Sequence, residues 1–332
     1  MNFKRIFCLA VSVLTPLTAI AADEPEDAEP GHPPGPLEEV VVSEFRRTVS
    51  AELDSSVTVL NRDTVQSAAL QHFEELITLV PNMNFSGDGS RARYFQMRGI
   101  GELEQYEGAP NPSVGFIVDD IDLSGVGGIS TVFDIQQVDV LRGPQATRFG
   151  ASALAGLVYV QSAEPTTEPG LNAELLLGQD DTLAGGIAVG GGLGDSLSGR
   201  FSLHQYRSNG FYDNVTLGID DSNERDELTG RGKLLWEIDA GWEAQLSLLY
   251  ADFDNGYDAW SPENGRTTFS DNPGRDTQKT RGGSLKFSGP VGSRLEFVSI
   301  TGLARSDVLF SFDGEWGSAA YWAPYGYDYV YS

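Results

Sequence analysis

From about residue 171 onward, apolar and polar positions alternate with period 2. In "ELTGRGKLLWEID", Leu228, Gly230, Gly232, Leu234, Trp236 and Ile238 fall on one side, and Thr229, Arg231, Lys233, Leu235, Glu237 and Asp239 on the other. "LSGRFSLHQY" sets Leu197, Gly199, Phe201 and Leu203 against Ser198, Arg200, Ser202 and His204, and "WEAQLSLLY" repeats the arrangement from Trp242 to Tyr250. The pattern predicts about seven strands, near 171–179, 183–192, 197–212, 226–239, 242–257, 280–289 and 294–312. Tight "GD" and "DAG" turns join them on one side, and long polar loops, 213–226 and 254–280, on the other. Tyr206, Trp236, Trp242 and Tyr250 gather toward strand ends. Short turns, long loops and aromatic strand ends together predict a transmembrane antiparallel β-barrel. A soluble sandwich would alternate too, but it has no reason for such unequal loops.

Residues 48–165 follow other periods. "SSVTVLNRDTVQSA" predicts a strand and then a helix opened by Asn61. "LQHFEELITLVPN" places Leu70, Phe73, Leu76, Ile77 and Val80 on one helical face before Pro81 stops it. "RYFQMRGIG", "SVGFIVDDIDL", "FDIQQVDVLRGP" and "ALAGLVYVQSAEP" read as further strands, the first two separated by the polar loop 101–112. This mixture predicts a compact α+β domain.

The N-terminus adds an address. Lys4 and Arg5, the apolar run Ile6–Leu14 and "AIA" at 19–21 form a secretory signal over residues 1–21. Residues 22–37 are acidic and proline-rich, as an extended linker is. Cys8, the only cysteine, lies within the signal, so no disulfide or thiolate metal site is expected beyond it. Without Lys4 and Arg5, 20 basic residues face 48 acidic ones. That balance argues against a nucleic-acid partner, which needs a basic surface. No later run of about 18 apolar residues marks a membrane helix.

Enzyme chemistry finds no foothold. The glycine-rich stretches 125–130 and 190–195 do not sit between a strand and a helix as a phosphate loop requires. "GDSLSG" is not a nucleophile elbow, and His32, His72 and His204 are spread over a linker, a helix and a strand. "DFDNGYD" (252–258) has oxygen ligands at calcium-like spacing but lacks the closing Glu. No metal site, cofactor or catalytic residue is expected.

The order of these parts carries a resemblance. A signal, a linker, "EEVVVSE", a domain bearing "MRGIG", "VGFIVDDI" and "VDVLRGPQATRFGASALAGLVYV", and then barrel strands resemble a TonB-dependent outer-membrane receptor. The likeness covers the plug domain in full and about seven of an expected 22 barrel strands, which implies a piece of a larger barrel in the outer membrane. It implies a TonB-box-like segment over 38–47, with Glu39, Val40, Val41, Val42 and Ser43 gripped by TonB. It also implies a plug over 48–165, and barrel from 170 to 332 in contact with outer-membrane lipid. Arg98 and Arg142 are then expected to lock plug to wall. Arg91, Arg93, Tyr94 and Tyr106 are the candidates for binding a small ligand, a ferric siderophore being the family's commonest cargo. The chain departs from the family pattern at Leu157, where a second glycine is usual, and at "VDDI", where "VDGV" is common. The alternative reading is a passive porin-like barrel, against which the plug and its preceding valine run speak.

Overall fold

The computed structural model describes residues 41–43, 47–49, 56–67, 72–87, 89, 91–103, 112–127, 131–149, 152–261 and 264–326. The signal, the linker, Glu39, Val40 and Tyr106 lie outside the described residues. In chain order the strands are β1 Val41–Ser43, β2 Arg47–Val49, β3 Ser56–Asn61, β4 Met83–Ser86, β5 Tyr94–Met97, β6 Val114–Val118, β7 Ile121–Asp122, β8 Ile135–Arg142 and β9 Gly156–Ser162, then β10 Gly170–Leu177, β11 Leu183–Gly192, β12 Leu197–Ser208, β13 Asp213–Asn214, β14 Arg225–Ile238, β15 Trp242–Tyr257, β16 Thr267–Thr268, β17 Gly274–Val291 and β18 Leu295–Ser311. The helices used below are α1 Arg62–Ser67, α2 Phe73–Leu76 and α3 Ala146–Phe149.

The plug is built on a five-stranded sheet in the order β3-β8-β9-β6-β7. β8 is antiparallel to β3 and β9, whereas β9 and β6 run parallel. Val138, Val140, Val158, Val160, Phe116 and Val118 are buried on this sheet beneath Phe73, Leu76, Ile77 and Val80. Phe73 packs edge-on against Phe116 at 5.0 Å between ring centres. Asn61 opens α1 by accepting from the Thr64 amide at 3.0 Å and hydroxyl at 2.7 Å. The second helix is short. α2 tightens into a single 3-10 turn over Ile77–Leu79, and Val80 is already extended before Pro81.

The stretch "VDVLRGPQATRFG" is where the central strand leaves the sheet. Gly143 takes φ +130°, a conformation closed to other residues, and its amide donates to Ala155 O at 3.0 Å. The chain then turns through α3 and re-enters as β9. Leu157, one of the departures from the family pattern, is fully buried with Ile117, Leu141 and Tyr159. It is tolerated because Gly115 lies opposite it on β6. A Cβ at Gly115 would stand 2.8 Å from Leu157 Cδ1 and 2.9 Å from Ser152 O.

The second body is a seven-stranded antiparallel meander, β10-β11-β12-β14-β15-β17-β18. Along β14, Glu227, Thr229, Arg231 and Lys233 are buried against the plug while Leu234 and Trp236 lie exposed on the opposite face. β17 starts six residues before the expected boundary at 280. "GRDTQK" reads as loop because polar residues occupy both faces. The inward ones, Asp276 and Gln278, are buried under plug side chains, and that lets the strand continue. The long loops after β12 and β15 are joined by the parallel pair β13–β16 and by the buried Asp258 carboxylate. Its Oδ2 accepts from Asn214, Ser222 and Thr268 at 2.6–2.8 Å.

A fragment covering residues about 46–166 should unfold cooperatively in urea, because its core, apart from Leu249 of the wall, is internal to it. Gly115→Ala should cost that fragment about 1–3 kcal/mol through overpacking against Leu157. An unchanged urea midpoint would show that Leu157 and Ser152 yield without strain.

Candidate functional site

The chemistry of this chain is concentrated where the plug meets the inner face of the sheet. Arg91 and Arg93 precede β5 two residues apart and reach the same wall strand. Arg91 grips Asp276 with Nε (3.2 Å) and Nη2 (2.6 Å), and its Nη1 donates to Gln278 Oε1 at 2.6 Å. Arg93 Nη2 donates to Asp276 Oδ1 at 2.5 Å. All four side chains are buried. Each guanidinium also lies near a wall aromatic, Arg91 over Phe253 at 5.0 Å and Arg93 over Phe310 at 5.8 Å. One carboxylate thus compensates two cations through charge-assisted bonds in a site without bulk water.

Six residues along β14 from Glu227, roughly 20 Å away, a second group of contacts forms around Lys233. Its Nζ lies 2.7 Å from Asp119 Oδ1, 2.9 Å from Ser162 O and 3.0 Å from Glu164 Oε1. Asp119 and Asp120 form the turn between β6 and β7 with φ of +48° and +65°. Asp120 Oδ1 accepts from the Tyr159 hydroxyl at 2.6 Å, which holds a carboxylate where the family pattern has glycine. Asp119 also accepts from the Ser162 amide (2.9 Å) and hydroxyl (2.7 Å), and its carbonyl takes a bond from Ser284 Oγ at 2.6 Å. Burial pushes the Asp119 carboxyl up, but Lys233 and the Ser162 donors outweigh it and hold it below its ordinary value. Burial and then Asp120 push the Tyr159 phenol well above its own. Beside this group Arg200 grips Asp134 with two bonds, one of 2.8 Å through Nε, and Arg62 approaches the same carboxylate at 3.4 Å. Arg231 Nη2 donates to Phe133 O.

The two histidines of the folded domains both stand at this seam. His72, just before α2, places Nε2 3.1 Å from Glu227 Oε2, while Glu227 Oε1 accepts from Asn255 Nδ2 at 2.7 Å. Arg225 reaches Glu74 at 3.4 Å, and the Tyr206 ring meets His72 edge-on at 4.5 Å. Burial lowers the His72 pKa, but the hydrogen bond and charge of Glu227 outweigh burial and raise it above its ordinary value. His204 stacks on Phe133 at 5.5 Å. Among the described residues no three His, Cys, Asp or Glu side chains converge as a metal set.

Among the described residues, the arginines expected to lock plug to wall, Arg98 and Arg142, show no hydrogen bond to the seven strands of the sheet. Arg142 ends β8 beside Ser56, and its Nη1 folds back to Pro81 O at 3.1 Å, inside the plug. Arg98 occupies a tight turn with φ +54°, and its backbone amide donates to Asn82 O at 2.9 Å. Neither has an ion pair to the sheet among the described residues. Arg91 and Arg93, expected to face a ligand, make the wall contact instead, and Tyr94 is buried within β5. A sequence signal for the wall residues existed in the alternation of β14, which sets Arg231 and Lys233 on its polar side. None existed for Asp276, because its segment reads as loop.

Asp276→Ala would leave two buried guanidinium groups uncompensated. It should destabilise the docked plug by about 3–5 kcal/mol, read as a lower melting midpoint of the detergent-solubilised protein. Asp276→Asn should recover part of the loss. An unshifted midpoint for the alanine variant would remove Asp276 from the lock. For His72, a raised pKa in the folded state contributes stability that is complete below about pH 6.5 and is lost as pH rises through the raised value. Melting midpoints should therefore fall as pH rises above the ordinary histidine value of about 6.5, and His72→Gln should flatten that fall. A variant that retains the full slope would place the titration elsewhere.

The TonB-dependent receptor plug domain family matches residues 50–157. The chain is 26% identical over 276 residues to the pesticin receptor of Yersinia enterocolitica, covering 80% of this chain and 39% of that protein. It is 23% identical over 263 residues to the vitamin B12 transporter BtuB of Vibrio vulnificus, covering 76% and 40%. Its fold superposes on the ferric yersiniabactin uptake receptor FyuA from Yersinia pestis with a TM-score of 0.70 at 22% identity, over 78% of this chain and 42% of that one. The ferric-catecholate import receptor Fiu from E. coli K12 follows at 0.61 and 17%, over 82% and 42%. The chain thus spans about two fifths of the length of the curated relatives it matches. Residues 50–157 thus form a TonB-dependent receptor plug domain, and the chain as a whole, a plug seated against seven strands of wall, is similar to the outer-membrane receptors named above.

Proposed function

We propose that this chain supplies the plug and part of the wall of an energised uptake receptor for a ferric siderophore. The observation that carries the reading is the polar character of the plug–wall seam. Asp276, Glu227, Lys233 and Arg200 each meet a plug group of complementary charge or hydrogen-bonding capacity. A seam of this kind holds while its partners satisfy one another and exchanges them for water when the plug shifts, unlike an apolar seam that would have to be torn open. A passive porin needs an open lumen, and a plug bonded to the wall at two levels leaves no use for one. The siderophore assignment draws on relatives that include a ferric yersiniabactin receptor and a catecholate siderophore receptor, although a vitamin B12 transporter is also among them.

In this reading an anionic ferric chelate reaching the plug competes with Asp276 for Arg91 and Arg93, with Tyr94 and Tyr106 as further candidates to meet it, and so loosens the lock from outside. Coupling to TonB runs through Glu39, Val40, Val41, Val42 and Ser43. Val41–Ser43 is extended and pairs with Arg47–Val49. A strand of this kind hydrogen-bonds to a partner through its backbone.

Val41→Pro removes one amide donor, whereas Val41→Ala keeps it. The proline variant should abolish TonB-dependent uptake of radiolabelled ferric siderophore by cells and leave its binding at the cell surface intact; the alanine variant should lose little. Normal uptake by the proline variant would show that the segment is only an N-terminal strand of the plug.

A further inference from the structure

The outward face of the sheet holds a second charged feature that the plug does not touch. Arg281 on β17 stands directly opposite Arg305 on β18, and Tyr250 on β15 stands opposite Arg281. Like charges directly opposite each other on neighbouring strands are unfavourable unless something neutralises them. The local carboxylates do so only in part. Asp252 is taken by Lys279 at 2.9 Å and by the Tyr250 hydroxyl at 2.8 Å. Asp307 approaches Arg305 no closer than 3.7 Å, with both side chains mostly in the open. Arg281 is exposed and has no ion pair among the described residues.

The position of this pair gives it meaning. Two residues further along each strand, toward the short turns, lie Leu248, Gly283 and Leu303 in one row, followed by Leu246, Leu285 and Thr301. Leu303 is 77% exposed and Leu285 52%, as befits side chains that face lipid. Two residues toward the long loops the row becomes Asp252, Lys279 and Asp307. The arginines therefore mark the upper border of the apolar band, at the depth of the lipid headgroups, with Gly283 between Leu248 and Leu303 in the row below them.

We propose that Arg281 and Arg305, with Lys279 beside them, bind the phosphate of an anionic lipid whose acyl chains lie over Leu248, Leu285 and Leu303. Guanidinium groups match phosphate oxygens in pairs, and a bound phosphate removes the repulsion between them. The inference rests on the outward face being lipid-facing and is independent of the cargo of the receptor.

The full chain, delipidated in a neutral detergent, is titrated with mixed micelles containing diacyl phosphatidic acid, with micelles containing diacyl phosphatidylcholine, and with inorganic phosphate. Phosphatidic acid should bind at least tenfold more tightly than phosphatidylcholine. The double variant Arg281→Gln, Arg305→Gln should lose that preference. Asp307→Asn, which removes the competing carboxylate, should strengthen it several-fold, an effect that a purely structural role would not produce. Three results would overturn the proposal: no preference in the unmodified chain, a preference that survives the double substitution, or no gain with Asp307→Asn. Inorganic phosphate that binds as tightly as phosphatidic acid would show a site for free anion and overturn its assignment to lipid.

Discussion

A charge placed on the inner face of this sheet has no bulk water to solvate it, and the placement of both bodies follows from that constraint. Arg200, Glu227, Arg231, Lys233 and Asp276 are held inward by the period-2 alternation of strands whose other face must stay apolar. Stranding any of them would cost several kcal/mol. The plug answers with Asp134, His72, the Phe133 carbonyl, Asp119 and the Arg91–Arg93 pair. A buried ion pair is weak evidence of stability, since a well-packed apolar contact often does as well. What the pairs fix is registry: only one seating of the plug satisfies all of them together.

The two levels of contact differ in kind. Near the long loops, Asp276 is one acceptor shared by two donors, so weakening either bond leaves the other in place. Near the short turns, Lys233 is one donor shared by three acceptors on the plug. The "VDDI" turn belongs to this second level. Asp119 is committed to the wall, while Asp120, which stands in place of the family's glycine, ties the turn to Tyr159 of the plug's own sheet. The cost of two left-handed, non-glycine residues is met by bonds on either side.

Much of this was legible in the sequence. Seven alternating runs foreshadow the seven strands of the meander, because a strand with one lipid face and one polar face cannot hide its period. Asn61 as a helix cap and Pro81 as a stop were readable from local chemistry alone, and so was the turn at Gly143. The seam was not. Arg98 and Arg142 sit beside glycine in recognisable motifs, and Arg91 and Arg93 do not, yet contact with the wall depends on where a side chain points after the plug has folded. Asp276 and Gln278 were hidden for a related reason. A polar residue that will be buried by another body looks, in one dimension, like a residue of a loop.

The short hairpin of Val41–Ser43 with Arg47–Val49 carries its own consequence. Its edge strand already spends part of its backbone hydrogen bonds on an internal neighbour. A partner that takes the strand from that neighbour replaces one set of bonds with a similar set, so the exchange is close to isoenergetic and gains only what the partner's side chains add. Any partner that pairs with Val41–Ser43 through its backbone must first displace Arg47–Val49, so the hairpin competes for the edge that such a partner would use.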